Sequence, residues 1–394
     1  EGYFVGNRSY SGWVIGLSMI GTSISSITFL AYPADSFKTS WLRFLPNIVL
    51  PIVIITSAYL FLPFFKRNNI LSAYEYLEER FGPSVRIYGA ITFLIGQLVR
   101  ISLILYLLSL MVHEVTSLTI LQSILLSGIT VGFYTILGGI EAVIWTDVIQ
   151  TITLVFGGLI CIGVIIYQLP EGLNQIIDIA LLNNKLSFSE LKDGVLHPVS
   201  WGVSLSNKTG IMMIFLGFSW FFQEYITNQN IIQRYAATKN ESEARKAMFI
   251  SSINIPIWAF FMFLGTALYA YFQVYPSEAA SEMLIGTRNA ENILPYFIIY
   301  YLPAGISGLI IAAAIAAAMS SLDSSINSIS TVSVHDIYRR HLAPNKDDIH
   351  YLHVAWYIAT FATAIMIIGS CILAFSKMNT LQDTYNTIGS VVMG

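Results

Sequence analysis

Charge is what this sequence has least of. Asp, Glu, Lys and Arg make up 11% of its 394 residues, against 55% hydrophobic ones. A soluble domain carries about 25% charged residues to cover its surface, so this chain has too little polar surface to meet water on every side. A single soluble core of this size would divide into domains before it became so apolar. Cysteine is scarce too. Cys161 and Cys371 both lie in apolar runs, which argues against a disulfide framework or a thiolate metal site. Basic charge is not in excess, at a net −3, so nothing suggests a nucleic-acid footprint. The signatures of a membrane enzyme are missing as well: no metal-binding His/Glu/Asp spacing, no Gly-x-Ser-x-Gly elbow and no phosphate loop. The six histidines fall nearly all in loops or at segment ends.

What the chain has instead is length of apolar run. Stretches of at least 18 residues recur, each long enough to cross about 30 Å of hydrocarbon. Nine segments are expected, at roughly 10–34, 42–65, 86–112, 115–137, 143–168, 209–231, 246–274, 296–334 and 352–376, with a partial tenth from 381. The eighth opens on an amphipathic stretch, Asn292 to Tyr301, ahead of the alanine-rich core beyond Pro303. The polar stretches 169–208 and 275–295 read as extramembrane. Lys and Arg flanking the segments fall twelve on one side, among them Lys66, Arg86, Arg234 and Arg340, and seven on the other, among them Lys38, Arg43 and Lys185. The richer side is read as cytoplasmic, which puts both long polar loops outside. No signal peptide is read at the start. The chain opens in a helix-flanking segment and stops where an apolar one begins, so further spans are expected beyond both ends.

Polar residues at bilayer depth are costly and mark function by default. Four groups stand out. Gly21-Thr22-Ser23-Ile24-Ser25-Ser26-Ile27-Thr28, followed by Pro33, suits either an unwound stretch whose carbonyls hold a cation or a packing face whose hydroxyls bond their own i−4 carbonyls. Ala312 to Ser325 joins alanines that admit a close neighbour to Ser320, Ser321, Asp323 and Ser324 within about one turn. These are hard oxygen donors of the kind an alkali cation takes, with close packing as the alternative. Asp147 lies near the cytoplasmic end of the fifth segment, as a site residue, a cap or the partner of a nearby arginine. Arg100, deep in the third segment, must meet an anion: a solute carboxylate, or Glu224 in the Phe221-Phe222-Gln223-Glu224-Tyr225 patch.

Together these stretches resemble the sodium:solute symporter family over essentially the whole chain. The most specific pieces are Gly138 to Gln150, Gln233-Arg234-Tyr235, Ser320 to Ser333 with Asp336-Ile337-Tyr338, and Tyr74-Glu75-Tyr76-Leu77-Glu78. The resemblance implies an all-α polytopic membrane protein, an inverted-repeat, leucine-transporter-like bundle of five plus five spans. Residues 1–9 would end a leading helix, 10–168 form the first repeat, 169–208 an external loop, and 209–394 the second repeat up to its tenth span. It implies a first sodium site from the carbonyls of Gly21, Ile24 and Ala317 and the hydroxyls of Ser320 and Ser321. Gly21 stands where the family more often has alanine, a change expected to be harmless because the carbonyl does the work.

Within the family, Ser25-Ser26-Ile27-Thr28-Phe29 and Arg100 look most like sialic acid transporters. That likeness implies a solute pocket with Ser25, Thr28 and Arg100, joined by Phe222, and a second sodium site at Asp147, Ser320 and Ser324. Asp323 replaces a serine of that second site and adds a carboxylate. Arg43 and Asn47 stand in place of an aromatic and a glutamine, with Arg43 either a second positive group at the outer vestibule or a snorkelling side chain. The expected activity is sodium-driven import of an acidic sugar across a bacterial cytoplasmic membrane, with sodium, the solute and lipid as partners and no obligate protein partner. The alternatives are a neutral sugar, polyol or other carboxylate as solute or, from another class, a solute-gated channel or sensor. The polar groups converge at mid-depth rather than lining a continuous path, which favours transport over a channel.

Overall fold

The structure is a computed structural model that describes residues 2–24, 26–67, 72–192, 194–204 and 209–375. The tenth segment and Ser25 lie outside them. The first apolar segment is two helices, α1 (Gly12–Ser23) and α2 (Ser26–Lys38), bent by 53° at their junction. Ile24 leaves the helix with φ −89° and ψ 108°. The hydroxyls before the break turn inward on the backbone: Thr22 Oγ1 donates to Ser18 O at 2.9 Å and Ser23 Oγ to Met19 O at 3.0 Å. The break and the i−4 hydroxyl bonds therefore occur together in this stretch.

α3 (Leu42–Lys66) and α4 (Pro83–Val115) follow. α5 (Ile120–Gln168) has 49 residues, about 73 Å at 1.5 Å per residue, more than twice the hydrocarbon thickness. Gly139, at φ 56° and ψ −152°, interrupts it. A β-carbon there would lie 2.6 Å from the Tyr3 ring and 2.8 Å from the Tyr3 carbonyl, so both conformation and packing require glycine. Residues 115–137 and 143–168 were expected as separate segments, and this break is where they part. The sixth segment is α6 (Gly210–Phe222) with a π-turn at Gln223–Thr227. After Asn228, the short α7 (Gln229–Ala237) turns back into the protein with every residue buried. α8 (Glu241–Ser251) and α9 (Asn254–Val274) make the seventh, α10 (Ala304–Val332) the core of the eighth, and α11 (Asp348–Phe375) the ninth.

Lipid-facing stripes are visible in the spacing of exposed apolar residues. Ile48, Ile52, Ile55 and Tyr59 on α3, and Trp145, Ile149, Ile152 and Phe156 on α5, are exposed at alternating steps of four and three, one face of a helix. The opposite faces carry buried Val49 and Val53, and Ile144 and Asp147. α10 packs closely against α5, α9 against α2, and α8 against α1. Small residues permit this approach: a β-carbon on Gly265 of α9 would meet Pro33 O of α2 at 2.0 Å.

Each end is tied down. On the basic face, Arg86 bonds Glu78 at 2.6 Å and Asp336 at 2.7 Å, and Arg340 reaches Glu78 at 2.7 Å. On the opposite face, the loop after α5 holds a short helix (Gly172–Leu182) and a hairpin of β1 (Ser189–Lys192) and β2 (Val195–Pro198). This loop straps the outer end of α2. Ser40 Oγ donates to Ser189 O at 2.6 Å, and buried Lys185 Nζ donates to Phe37 O at 2.7 Å and Thr39 O at 3.0 Å. The Lys185 ammonium also sits 4.0 Å from the centre of the Tyr269 ring.

Burial pushes Lys185 down to about 7, whereas an exposed lysine titrates near 10.4. Above pH 7 the unfolded chain therefore holds the proton more firmly than the folded one, and stability must rise with pH until both forms are neutral. The thermal midpoint of detergent-solubilised protein is expected to climb between pH 7 and pH 9, and Lys185→Met to remove that part of the rise.

Candidate functional site

The fold gathers at its centre residues that are far apart in the chain. α1 supplies Ser18 and Thr22 at i, i+4. α5 supplies Asp147, α7 supplies Arg234, and α10 supplies Ser320 and Ser324, again at i, i+4, with Asp323 between. All seven are buried, Asp147, Asp323, Ser320 and Arg234 completely. Asp147 Oδ2 accepts from Ser18 Oγ at 2.6 Å and from Arg234 Nη2 at 2.6 Å, while its Oδ1 accepts from Ser320 Oγ. Thr22 Oγ1 lies 3.5 Å from Ser324 Oγ, so α1 and α10 turn oxygen atoms towards each other.

Asp323 receives neutral donors only among its hydrogen-bond partners: Tyr134 Oη at 2.8 Å, Thr146 Oγ1 at 3.2 Å and Ser324 Oγ at 3.4 Å. Tyr134 and Thr146 flank the Gly139 break, and the sharp turn there is what brings both to one carboxylate oxygen. The cluster thus holds two carboxylates against one guanidinium. Burying an unpaired charge costs several kcal/mol, and at an effective dielectric of about 20 a cation 4 Å from a carboxylate recovers about 4 kcal/mol. One further monovalent cation would neutralise the cluster, and its oxygen donors are the kind such an ion takes.

The expected second-site residues Asp147, Ser320, Asp323 and Ser324 stand together here. Arg234, which the sequence reading counted with the cytoplasmic flank, stands among them. Asp147 is also the partner of a nearby arginine, one of the roles considered for it.

Of the expected first-site residues, Gly21 and Ile24 lie at the end of α1, where backbone oxygens leave the helical ladder. Ala317, Ser320 and Ser321 lie on the facing helix α10. Ser321 Oγ is buried and, among the described residues, has no hydrogen-bond partner, an orphan hydroxyl on that helix. Gly21 is also required by the packing of this chain. A β-carbon there would lie 2.6 Å from Thr151 Oγ1 and 2.9 Å from Asp147 O, so the close approach of α1 to α5 requires glycine.

The residues expected around the solute are dispersed over α2, α3, α4 and α6. Thr28 is buried on α2. Asn47 Nδ2 donates to Tyr32 Oη at 3.2 Å, and Arg43 is ion-paired with Asp35, so the positive charge of Arg43 is already matched at the outer mouth. Tyr32 and Asp35 were not anticipated. A tyrosine and an aspartate one turn apart beyond the break were the available signal. Phe222 stacks on Phe218 with ring centres 6.1 Å apart. Arg100 is half-buried and, among the described residues, has no ion pair or hydrogen bond. Glu224, its alternative partner, is bonded instead by Asn228 Nδ2 at 2.6 Å.

A helix broken at mid-bundle, opposed by a helix whose buried oxygens include an aspartate, defines an ion-coupled membrane transporter. The family model described as the sodium:solute symporter family matches residues 3–392, and the chain belongs to that family. It is 32% identical to the sodium/sialic acid symporter NanT of Aliivibrio fischeri, covering 100% of this chain and 75% of that protein. It is 31% identical to the sodium/sialic acid symporter SiaT of Proteus mirabilis, covering 100% and 77%. The solved structure of a substrate-bound, outward-open sodium-coupled sialic acid symporter superposes with a TM-score of 0.87 at 30% identity, over 96% of this chain and 77% of that one. The leucine-transporter-like fold is therefore present, and the chain is a multi-pass, sodium-coupled symporter rather than an enzyme.

Overpacking a tight contact costs about 1–3 kcal/mol. Gly21→Ala is therefore expected to lower the thermal midpoint and to depress sodium-dependent uptake. Thr151→Ala in the same chain should restore part of both, because it removes the nearer of the two clashing atoms.

Proposed function

We propose that this symporter imports an acidic sugar of the sialic acid class, with the solute carboxylate received by Arg100. The observation that carries the reading is a half-buried arginine at bilayer depth with no ion pair or hydrogen bond among the described residues, on a helix that meets the outer half of the broken segment. A guanidinium there offers two parallel donors, the geometry a carboxylate accepts. Thr28 would complete the pocket, with Ser25, Asn47 and Phe222 as further contacts and Arg43, held by Asp35, at its outer edge. The two relatives at 31–32% identity carry names that specify sialic acid, which supports the same solute class. A neutral sugar, a polyol or another carboxylate is the second reading, favoured by Arg43 and Asn47 standing where an aromatic and a glutamine were expected.

Two sodium ions would drive the cycle. The first is assigned to Gly21, Ile24, Ala317, Ser320 and Ser321, and the orphan Ser321 hydroxyl supports the assignment. The second is assigned to Asp147, Ser320, Asp323 and Ser324, supported by the excess of carboxylate over guanidinium. We assign residues 10–168 to one repeat and 209–394 to the other, five spans each. Sodium between α1 and α10 would order the break and so pre-form the solute pocket. The solute then binds a protein whose ordering cost the ion has already met, and linkage requires the solute to tighten sodium by the same factor.

Uptake into proteoliposomes tests this directly. Sialic acids are expected to accumulate under an inward sodium gradient and neutral hexoses not. Arg100→Ala should abolish uptake of the acidic sugar, and normal uptake by that variant would remove the carboxylate assignment. Ser321→Ala is expected to raise the sodium concentration for half-maximal uptake by about tenfold, the equivalent of 1.4 kcal/mol.

A further inference from the structure

Of the sequence pieces that carry the family likeness, Gln233-Arg234-Tyr235 is used by neither the solute pocket nor the first sodium site. Arg234 nevertheless has the most heavily bonded cation at the centre of the bundle. Its Nη2 donates to Asp147 Oδ2 at 2.6 Å and to Ser324 Oγ at 2.8 Å, its Nε to Ser18 Oγ at 2.9 Å, and its Nη1 to Asn230 O at 2.8 Å. Two of these acceptors, Asp147 and Ser324, are ligands of the second sodium ion as assigned above, and the inference rests on that assignment.

We propose that Arg234 is a tethered competitor of the second sodium ion, a positioning residue that keeps this site weak enough to empty into the cytoplasm. A hydroxyl has two lone pairs and one proton. Ser324 Oγ gives its proton to Asp323 and one lone pair to Arg234, so only one lone pair is left for a metal ion. Asp147 Oδ2 is occupied by Arg234 and Ser18. A sodium ion drawn to the remaining Asp147 oxygen would share one carboxylate with a guanidinium, where like charges in a dry site repel strongly. Sodium and guanidinium thus oppose each other without excluding each other: each weakens the other's hold on Asp147 and Ser324.

The chain provides for such movement. α7 hangs from α6 by the π-turn at Gln223–Thr227 and the extended Asn228, at φ −75° and ψ 116°. A shift of α7 about that joint moves the guanidinium without unfolding a span. α7 also lies next to the basic face, where Lys66 Nζ donates to Tyr235 O at 3.1 Å and Thr238 O at 2.8 Å. The competitor is therefore placed on the side towards which the ion must leave.

The test is the sodium dependence of thermal stability, measured on purified full-length protein in detergent with choline replacing sodium. Arg234→Gln is expected to lower the sodium concentration for half-maximal stabilisation about tenfold or more, and Arg234→Lys severalfold, since an ammonium cannot hold Asp147, Ser324 and Ser18 together. Asp147→Asn should cancel both gains. A purely structural arginine would do the opposite, because spoiling the ligand geometry raises the sodium requirement. If Arg234→Gln does not stay folded without sodium, Arg234→Lys carries the decision. An unchanged or raised sodium requirement in the folded variants overturns the competition. Should Asp147→Asn leave the sodium titration of the otherwise unaltered protein unchanged while Ser321→Ala shifts it, the second-site assignment itself falls and the competition with it.

Discussion

The bond between Arg234 and Asp147 joins two fully buried charges at 2.6 Å, and two further helices, α1 through Ser18 and α10 through Ser320 and Ser324, converge on it. Removing one partner of such a pair leaves the other buried and unmatched, at a cost of about 3–5 kcal/mol. That cost fixes the relation of α1, α5, α7 and α10 more firmly than apolar packing does. Helices in a bilayer gain little by hiding apolar surface from equally apolar lipid, and close contact and polar bonds carry the association instead. Gly21 and Gly265 show the contact term, where backbones approach so closely that a methyl group has no room. The central cluster shows the polar term.

The break in α1 fits the same logic. Unwinding a helix inside hydrocarbon exposes carbonyls that need a donor or a cation. The chain limits the loss by bonding Thr22 and Ser23 back to the ladder and by setting the break against α10 rather than against lipid. On the facing helix the Ser321 hydroxyl is among the buried groups without a partner among the described residues, and the neighbouring site sets two carboxyl groups beside one guanidinium.

Much of this was legible in the sequence, because its signals are ones that length and composition carry directly. Apolar runs mark the spans, Gly138-Gly139 marks the split of residues 115–168, and Thr22, Ser23 and Pro33 mark the broken helix. Asp147, Ser320, Asp323 and Ser324 were read as one site from their motifs, and the fold brings them together. Arg234 could not be placed this way. An arginine just after an apolar segment has the same local signature whether it snorkels to the interface or, as here, rides on a short helix that folds back inside. Only the turn at Asn228 separates the two, and one asparagine at a segment end is no signal. The pairing of Arg43 was not legible for the complementary reason: its partner Asp35 lies across a helix end, where the contact depends on how α2 meets α3.

The charge balance also bears on why ion and solute should move together. A bundle that alternates its access must carry the central cluster through a state closed on both sides, where water cannot screen it. On the proposed assignment one sodium ion joins the two carboxyl groups and one guanidinium of the cluster, which brings the ionised cluster to neutrality. The loaded cluster is then the form that crosses the closed state at least cost. At Arg100, which has no ion pair among the described residues, the sign would be reversed, with the proposed solute carboxylate supplying the opposite charge. Each site is electrostatically unfinished when empty. Closure would then be cheapest when both are filled, and on this proposal that mutual condition, rather than direct contact between ion and solute, would underlie the coupling.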